Sequence, residues 1–225
     1  MKKGDFMLTY QDIRGNAAIN TYIRKADEAL ASLGYTEHSF PHVTKCASKA
    51  SEILETLGFD ERTCELSRIA AYMHDIGNIV NRIDHAQSGA IMAFRILDKL
   101  DMDPEEIAVI ISAIGNHDES TASPTDPISA ALILADKSDV RRSRVRNTDA
   151  TSFDIHDRVN FAAVESDLHF TDGNRSIELS ITIDTEISSI VNYFEIFLNR
   201  MLLCKRAAEF LNIRFKLNIN GMNLL

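Results

Sequence analysis

The pattern of apolar and polar positions predicts a helical chain up to about residue 146. Amphipathic segments with apolar residues three and four apart alternate with short polar connections. One such segment ends at Gly58, a typical helix stop, and another opens on Asp103-Pro104, a typical helix start. Because each segment is short, capped and apolar on one side, the pattern indicates an α-helical bundle.

The pattern changes after residue 146. The stretches SDLHFT and RSIELSITID alternate apolar and polar residues on either side of TDGNR, which predicts a hairpin. A third strand is expected at IRFKLNIN, with a long helix over about 186–212 before it. The sequence therefore predicts a mainly α protein. A helical domain over 1–146 precedes a small α+β domain over 147–225, with a three-stranded antiparallel sheet and one long helix.

The long helix carries a seam of apolar residues resembling that of a coiled coil. The seam consists of Ile187, Ile190, Phe194, Phe197, Met201, Cys204, Ala208 and Leu211. Further apolar residues, such as Val191, Leu198 and Leu202, lie off the seam, so the helix needs more than one neighbour. We expect one face on the sheet and another on the helical domain or on a second subunit. A homodimer through the C-terminal domain and burial within one chain both remain open.

Composition narrows the class of protein. The chain has 225 residues, 45% hydrophobic and 25% charged, which allows a globular protein with a sizeable core. Its net charge of -9 argues against a general binder of nucleic acid or of membrane surfaces. Three cysteines lie far apart without a CxxC pair, which is typical of a reducing compartment. With no apolar run typical of a signal peptide or membrane span, a cytoplasmic location is expected.

Several histidines and aspartates of the helical half lie at or near predicted helix ends. They are His42, His74, Asp75, His85, His117 and Asp136. Imidazole and carboxylate together suit Zn, Fe, Ni, Mn or Co, whereas Mg and Ca prefer oxygen ligands alone. Metal sites in helical bundles are built from side chains on facing helices, and these six are spread over five segments. Any one of them could be a satisfied core residue, but the set as a whole indicates a metal site.

The order of these residues resembles the H…HD…H…H…D signature of the HD superfamily of metal-dependent phosphohydrolases. The matching phrases are HVTKCASKA, AAYMHDIGN, HAQSGA, AIGNHDE and LILADKSD, and the resemblance covers roughly residues 36–146. It implies an HD-type helical bundle that binds two divalent transition-metal ions (Fe, Mn, Zn, Ni or Co).

The resemblance also implies a role for each residue. His42, His74 and Asp136 would hold the first ion, His85 and His117 the second, and Asp75 would bridge both. Asp75 and His74, the pair that names the family, would form the catalytic centre. A metal-bound hydroxide would then attack phosphorus in line.

A cluster of basic residues follows the last metal aspartate. Lys137 comes directly after it, and Arg142 matches an arginine common in nucleotide-cleaving HD proteins. Because guanidinium groups bind phosphate through paired hydrogen bonds, we expect Lys137 and Arg142 to bind the phosphate of a small substrate, a nucleotide. The alternative is that these basic residues form a solvated helix end and are stabilised by the helix dipole.

One position departs from the pattern of relatives that cleave cyclic dinucleotides. Asn78 stands where those relatives have the lysine of HDIGK, and no GYP triplet follows. The departure argues against a cyclic di-GMP phosphodiesterase. Two other readings stay open beside the phosphohydrolase: an HD-type di-iron oxygenase with the same six ligands, and a metal-containing regulatory module that binds a nucleotide.

Overall fold

The computed structural model of the chain describes residues 7–147 and 153–225. Within residues 7–147 it contains seven α-helices, which have the following bounds. They are α1 (Tyr10–Gly15), α2 (Ala17–Ser32), α3 (Phe40–Thr56), α4 (Glu61–Met73), α5 (His85–Lys99), α6 (Pro104–Gly115) and α7 (Pro127–Lys137). Residues 153–225 form α8 (Ile155–Ala162), β1 (Ala163–Thr171), β2 (Ser176–Ile183), α9 (Ile190–Phe210), β3 (Arg214–Ile219) and β4 (Met222–Asn223).

Side-chain caps fix where several helices begin. The carboxylate of Asp60 accepts from the backbone N–H of Thr63 at the start of α4, and that of Asp103 does the same for Glu105 at the start of α6. Asp126 and Ser129 form a reciprocal capping box at the start of α7. Each cap satisfies an amide that lacks a partner within its helix, and the helix start predicted at Asp103-Pro104 is confirmed.

Helix α7 lies at the centre of the helical part. Every residue from Ile128 to Lys137 is buried, and the helix packs against α3, α4, α6 and α9. A helix that is apolar all round belongs inside a protein, which explains the run AALILA. Its last residues, Asp136 and Lys137, are therefore held inside the protein as well.

Two glycines bring α5 close to the end of α4. A 3₁₀ turn at Ile76–Ile79 follows α4 and packs against α5. A Cβ atom on Gly77 would lie 2.0 Å from the carbonyl oxygen of His85 and 2.4 Å from the amide nitrogen of Gly89. Only glycine allows backbones to approach this closely, so Gly77 determines how near His85 lies to the residues that precede the turn.

The C-terminal sheet has four strands in the order β1-β2-β3-β4. The hairpin β1–β2 is antiparallel as predicted, but β2 and β3 pair in parallel, and β3–β4 is again antiparallel. The expected three-stranded antiparallel sheet is corrected accordingly. The physical reason is α9, a crossover helix that returns the chain to the end of the sheet where β2 began. The predicted class, mainly α with a C-terminal sheet and one long helix, is confirmed.

Helix α9 joins the sheet to the helical part. It packs against α7 on one side and against β3 on another. Of its seam residues, Phe197, Met201, Cys204 and Ala208 are buried. The helix therefore has two neighbours within its own chain.

The predicted domain boundary lies in the stretch RNTDATSFD, and residues 148–152 of that stretch lie outside the described residues. Hydrogen bonds connect β1 to the helical part: Ser166 Oγ donates to the carbonyl of Ser138, and Lys49 Nζ donates to that of Leu168. Across residues 7–147 and 153–225, no helix has both the length and the apolar content needed to cross a membrane.

Candidate metal centre

The six predicted ligands meet in one buried cluster at the helix ends. His42 lies in the first turn of α3, and His74 directly follows the last residue of α4. His85 begins α5, and Asp136 lies in the last turn of α7. All six side chains are buried, with Asp136 the most exposed at 8%. The cluster is therefore a property of tertiary packing, since its members come from helices that meet only in the folded chain.

Asp75 lies at the middle of the cluster, and its two carboxylate oxygens face different histidines. Oδ2 is 3.6 Å from His42 Nε2 and 3.2 Å from His74 Nε2. Oδ1 is 3.7 Å from His85 Nε2 and 3.9 Å from His117 Nε2. A carboxylate placed between two pairs of imidazoles has the geometry that a bridging ligand requires.

Asp136 extends the side of the cluster that contains His42. Its Oδ1 is 3.3 Å from His42 Nε2 and 3.8 Å from His74 Nε2. Among the described residues, donor atoms within 4.8 Å of one another form four groups of three. One of them adds Cys46 to His42 and Asp136, and another, His74, His117 and Asp136, spans both sides. The remaining two groups are His42, His74 and Asp75 on one side, and Asp75, His85 and His117 on the other. These two groups share Asp75 and no other residue.

Two buried atoms of the cluster lack a hydrogen-bond partner. They are Nε2 of His74 and Oδ2 of Asp75. A buried polar atom without a partner costs free energy, and two such acceptors facing each other are satisfied by a cation between them. With their mixture of imidazole nitrogen and carboxylate oxygen, the residues therefore fit a divalent transition-metal ion.

Local hydrogen bonds aim three of the imidazoles at the centre. Nδ1 of His74, His85 and His117 lies 2.7, 3.0 and 2.6 Å from the carbonyl oxygen three residues earlier. Because a carbonyl only accepts, Nδ1 of each ring carries the proton, and the lone pair of Nε2 points into the cluster. Histidine at a helix end can use carbonyls that the helix leaves unpaired.

Two residues that support the ligands were not predicted. Asp139, which is 1% exposed, accepts from Nδ1 of His42 at 2.8 Å and so orients that ring. Asn78 donates through Nδ2 to Oδ1 of Asp75 at 2.8 Å. A signal for Asp139 was present in the sequence, since it follows Asp136 by one helical turn within LILADKSD.

Burial keeps two of the histidines neutral. It lowers the pKa of His117 to about 3, and it lowers the pKa of His85 below its ordinary value. Burial lowers the pKa of His74 too, but the adjacent Asp75 outweighs it and raises that pKa. At neutral pH, His85 and His117 therefore hold the unprotonated form that binds metal.

The two carboxylates are ionised. Burial alone would raise the pKa of Asp75 and Asp136, but interactions with neighbouring side chains outweigh it. His74 lowers the pKa of Asp75 well below its usual range, and Lys137 does the same for Asp136. Both carboxylates are thus in the charged form that a cation requires.

The structure separates the two basic residues expected to bind substrate. Lys137 lines the cavity beside the cluster, with Nζ 2.7 Å from Asp136 Oδ2 and 2.8 Å from Glu119 Oε2. Arg142 faces α8 instead: its Nε donates to the carbonyl of Phe161 at 2.6 Å, and its Cζ lies 4.5 Å from the centre of that ring. Arg142 is therefore occupied by contacts to α8.

The cavity beside the cluster has a volume of about 420 Å³. Its charged lining, within the described residues, comprises basic Arg82, Lys137, Arg144 and Arg200, and acidic Asp75, Glu119, Asp136, Asp154 and Asp157. Arg200 was not predicted, and it comes from α9 of the C-terminal part. His38 and His156 also line the cavity.

Comparison with known proteins identifies the segment that builds this cluster. The family model described as HD domain matches residues 40–142, which include all six clustered side chains. That segment is therefore an HD domain, which is typical of metal-dependent hydrolases and implies binding of divalent metal.

Two of the proteins that are similar to this chain illustrate the comparison. An uncharacterized protein of Methanocaldococcus jannaschii is 27% identical over 213 residues, covering 84% of this chain and 80% of that protein. The crystal structure of a predicted HD superfamily hydrolase from an uncultured Thermotogales bacterium is 27% identical. It covers 55% of this chain and 67% of that chain with a TM-score of 0.43.

Proposed function

We propose that this HD-domain protein is a phosphohydrolase with two metal ions that cleaves a phosphoester or phosphoanhydride of a small anionic substrate, a nucleotide. The observation that carries the proposal is the position of Asp75, whose two oxygens face two separate groups of imidazoles. Two divalent ions bound there would polarise a phosphoryl oxygen and lower the pKa of a shared water toward neutrality.

The protein itself would contribute to the reaction by orienting the metal ligands and by excluding water from the cluster. Asp139 and Asn78 hold His42 and Asp75 in place, so the ligand atoms do not have to reorganise when substrate arrives. Burial of the whole cluster strengthens every charge interaction with a bound phosphate. His74 and Asp75 are the proposed catalytic pair, since both face the shared space between the two groups.

The charge of the cavity lining supports an anionic substrate whose binding depends on the metal ions. Four basic and five acidic side chains line the cavity within the described residues, so the lining by itself offers no excess of positive charge. Two divalent ions would reverse that balance. A volume of about 420 Å³ lies within the range of small-molecule sites, and the ring of Tyr35 on the lining offers an apolar surface to a base.

Lys137 and Arg200 are the proposed phosphate-binding residues. The side chain of Lys137 lies next to Asp136, where a phosphate on the first ion would come within reach. Arg200 is held toward the same cavity by Glu119 at 3.3 Å and by the ring of Phe197, 4.3 Å from its Cζ. Arg200 takes the place first considered for Arg142, because the guanidinium of Arg142 is bonded to α8.

The test is anaerobic loading with Mn or Fe, followed by metal analysis and a panel of phosphate esters and anhydrides that includes nucleotides. We expect two ions per chain and release of phosphate or of a nucleotide product. At most one ion per chain would overturn the binuclear site. Oxygen uptake with an organic substrate by the di-iron protein, with no cleavage across the panel, would instead support the oxygenase.

A further inference from the structure

One face of α9 (Ile190–Phe210) has no cover from residues 7–147 and 153–225. The side chains of Val191, Leu198 and Leu202 are 73%, 49% and 44% exposed on this face, although the opposite faces pack against α7 and β3. Single exposed apolar residues are common in proteins. Three on one face of one helix form a patch that favours a partner.

The exposed face repeats at alternating spacings of four and three residues. We name it the outer stripe, and it consists of Val191, Glu195, Leu198, Leu202, Lys205 and Glu209, all exposed. This spacing is the one by which a helix presents a continuous line of side chains to a second helix. The middle of the stripe is apolar, and an acidic and a basic residue flank that middle. The outer stripe is distinct from the seam that faces the chain's own core.

We propose that the outer stripe joins two copies of this chain, with the two α9 helices antiparallel about a two-fold axis near position 200. In that register Leu198 of each copy faces Leu202 of the other. Glu195 of each copy faces Lys205 of the other, because both pairs are centred on position 200. Such an interface is isologous: the same surface serves both copies, as two-fold symmetry requires.

Charge selects the antiparallel arrangement. An antiparallel pair places two Glu195–Lys205 contacts at the ends of the apolar centre, and both attract. A parallel pair would set Glu195 against Glu195 and Lys205 against Lys205, and like charges at a contact repel. Each chain carries a net charge of -9, so general association is opposed and only local complementarity favours a specific contact.

The size of the contact predicts a reversible dimer. A helix of 21 residues is about 32 Å long. Each copy offers two leucines to the apolar centre, while Val191 of each copy faces Glu209 of the other. Such a contact lies at the low end of interface sizes, where association is weak and depends on concentration. Phe197 and Arg200, which line the cavity, lie on another face of α9, so the dimer leaves the cavity open. The proposal therefore stands apart from the proposed reaction.

Sedimentation equilibrium of the full chain tests the contact. We expect the mean mass to rise with concentration from 25.2 kDa toward twice that value. Leu198→Asp should hold the protein at the mass of one chain. Its melting temperature should stay close to that of the dilute, monomeric wild type, because the residue is 49% exposed and dimerisation stabilises only the concentrated protein. The matched control is Ile91→Asp on α5, where an isoleucine is 70% exposed, and this variant should still dimerise.

Charge exchange tests the register. Glu195→Lys and Lys205→Glu should each weaken the dimer by about tenfold or more, because each creates two like-charge contacts. An equal mixture of the two variants should dimerise again, since every contact then joins opposite charges. The proposal is overturned by a wild type that stays monomeric up to ~1 mM, by a dimer that Leu198→Asp leaves intact, or by a mixture that does not associate.

Discussion

The helical part and the C-terminal part of this protein differ in how far the sequence reveals their contribution to the cavity. The helical part contains histidines and aspartates whose order alone indicated a shared site, and these side chains meet within a few ångströms. The C-terminal part carries no such signature, yet it supplies Asp154, His156, Asp157, Phe197 and Arg200 to the same cavity. Ligands must be of particular types at particular helix ends, whereas a cavity wall can be completed by whichever helix packs there.

The largest expected effect tests the helical part. Asp75→Ala should remove both ions and all turnover, because one carboxylate serves both groups of imidazoles. Metal analysis after loading measures the loss directly. Asp98→Ala, at an exposed position on α5, is the control and should keep the ions of the wild type. Retention of one ion by Asp75→Ala would mean that the two groups are independent.

A second large effect is expected where the two backbones meet. Gly77→Ala should destabilise the metal-free protein by about 3 kcal/mol or more, because its Cβ would overlap backbone atoms of His85 and Gly89 that cannot move aside. Gly15→Ala is the matched control: nothing lies within 4 Å of its Cβ. That variant should change stability by no more than about 1 kcal/mol, toward a more stable protein. Urea unfolding measures both, and equal effects would show that the close approach does not matter.

A moderate effect tests the contribution of the C-terminal part. Arg200→Gln should lower kcat/KM for a phosphate substrate by about tenfold to a hundredfold, as loss of a charged hydrogen bond worth ~1.5–3 kcal/mol predicts. Arg142→Gln should change kcat/KM by less than about threefold, since its guanidinium contacts Phe161. Steady-state kinetics with melting curves separates binding from folding. A larger loss of kcat/KM in Arg142→Gln than in Arg200→Gln would mean that the helical part alone supplies the phosphate-binding arginine.

The smallest expected effect concerns pH. Burial holds the pKa of His117 at about 3 in the folded protein, whereas the unfolded chain has an ordinary value near 6.5. The unfolded state therefore binds more protons below pH 6.5, and folding stability falls as pH falls. Between pH 7.5 and 5.5 the metal-free protein should lose ~1.4 kcal/mol through this residue. Urea unfolding of wild type and His117→Gln at both pH values measures it, and an identical loss in the variant would exclude His117 as the cause.

The sequence by itself identified the residues that we expect to bind metal. Imidazole and carboxylate are rare in apolar helices, so His74 and Asp75 within AAYMHDIG stand out without any knowledge of the fold. A helix start is predicted equally well, because a cap such as Asp103 bonds to residues only two and three positions away. Strand alternation marked β1, β2 and β3, since the period of a strand is local.

Tertiary structure alone decided the remaining features, because each depends on residues far apart in the chain. The parallel pairing of β2 and β3 follows from where α9 returns the chain, which alternation cannot express. Asp139 supports His42 across 97 positions. Arg142 and Arg200 are both arginines in a helical context, and only packing directs the first to Phe161 and the second to the cavity. The sequence shows which chemical groups are present, whereas the direction of each side chain and its distance from distant residues are set only when the helices pack.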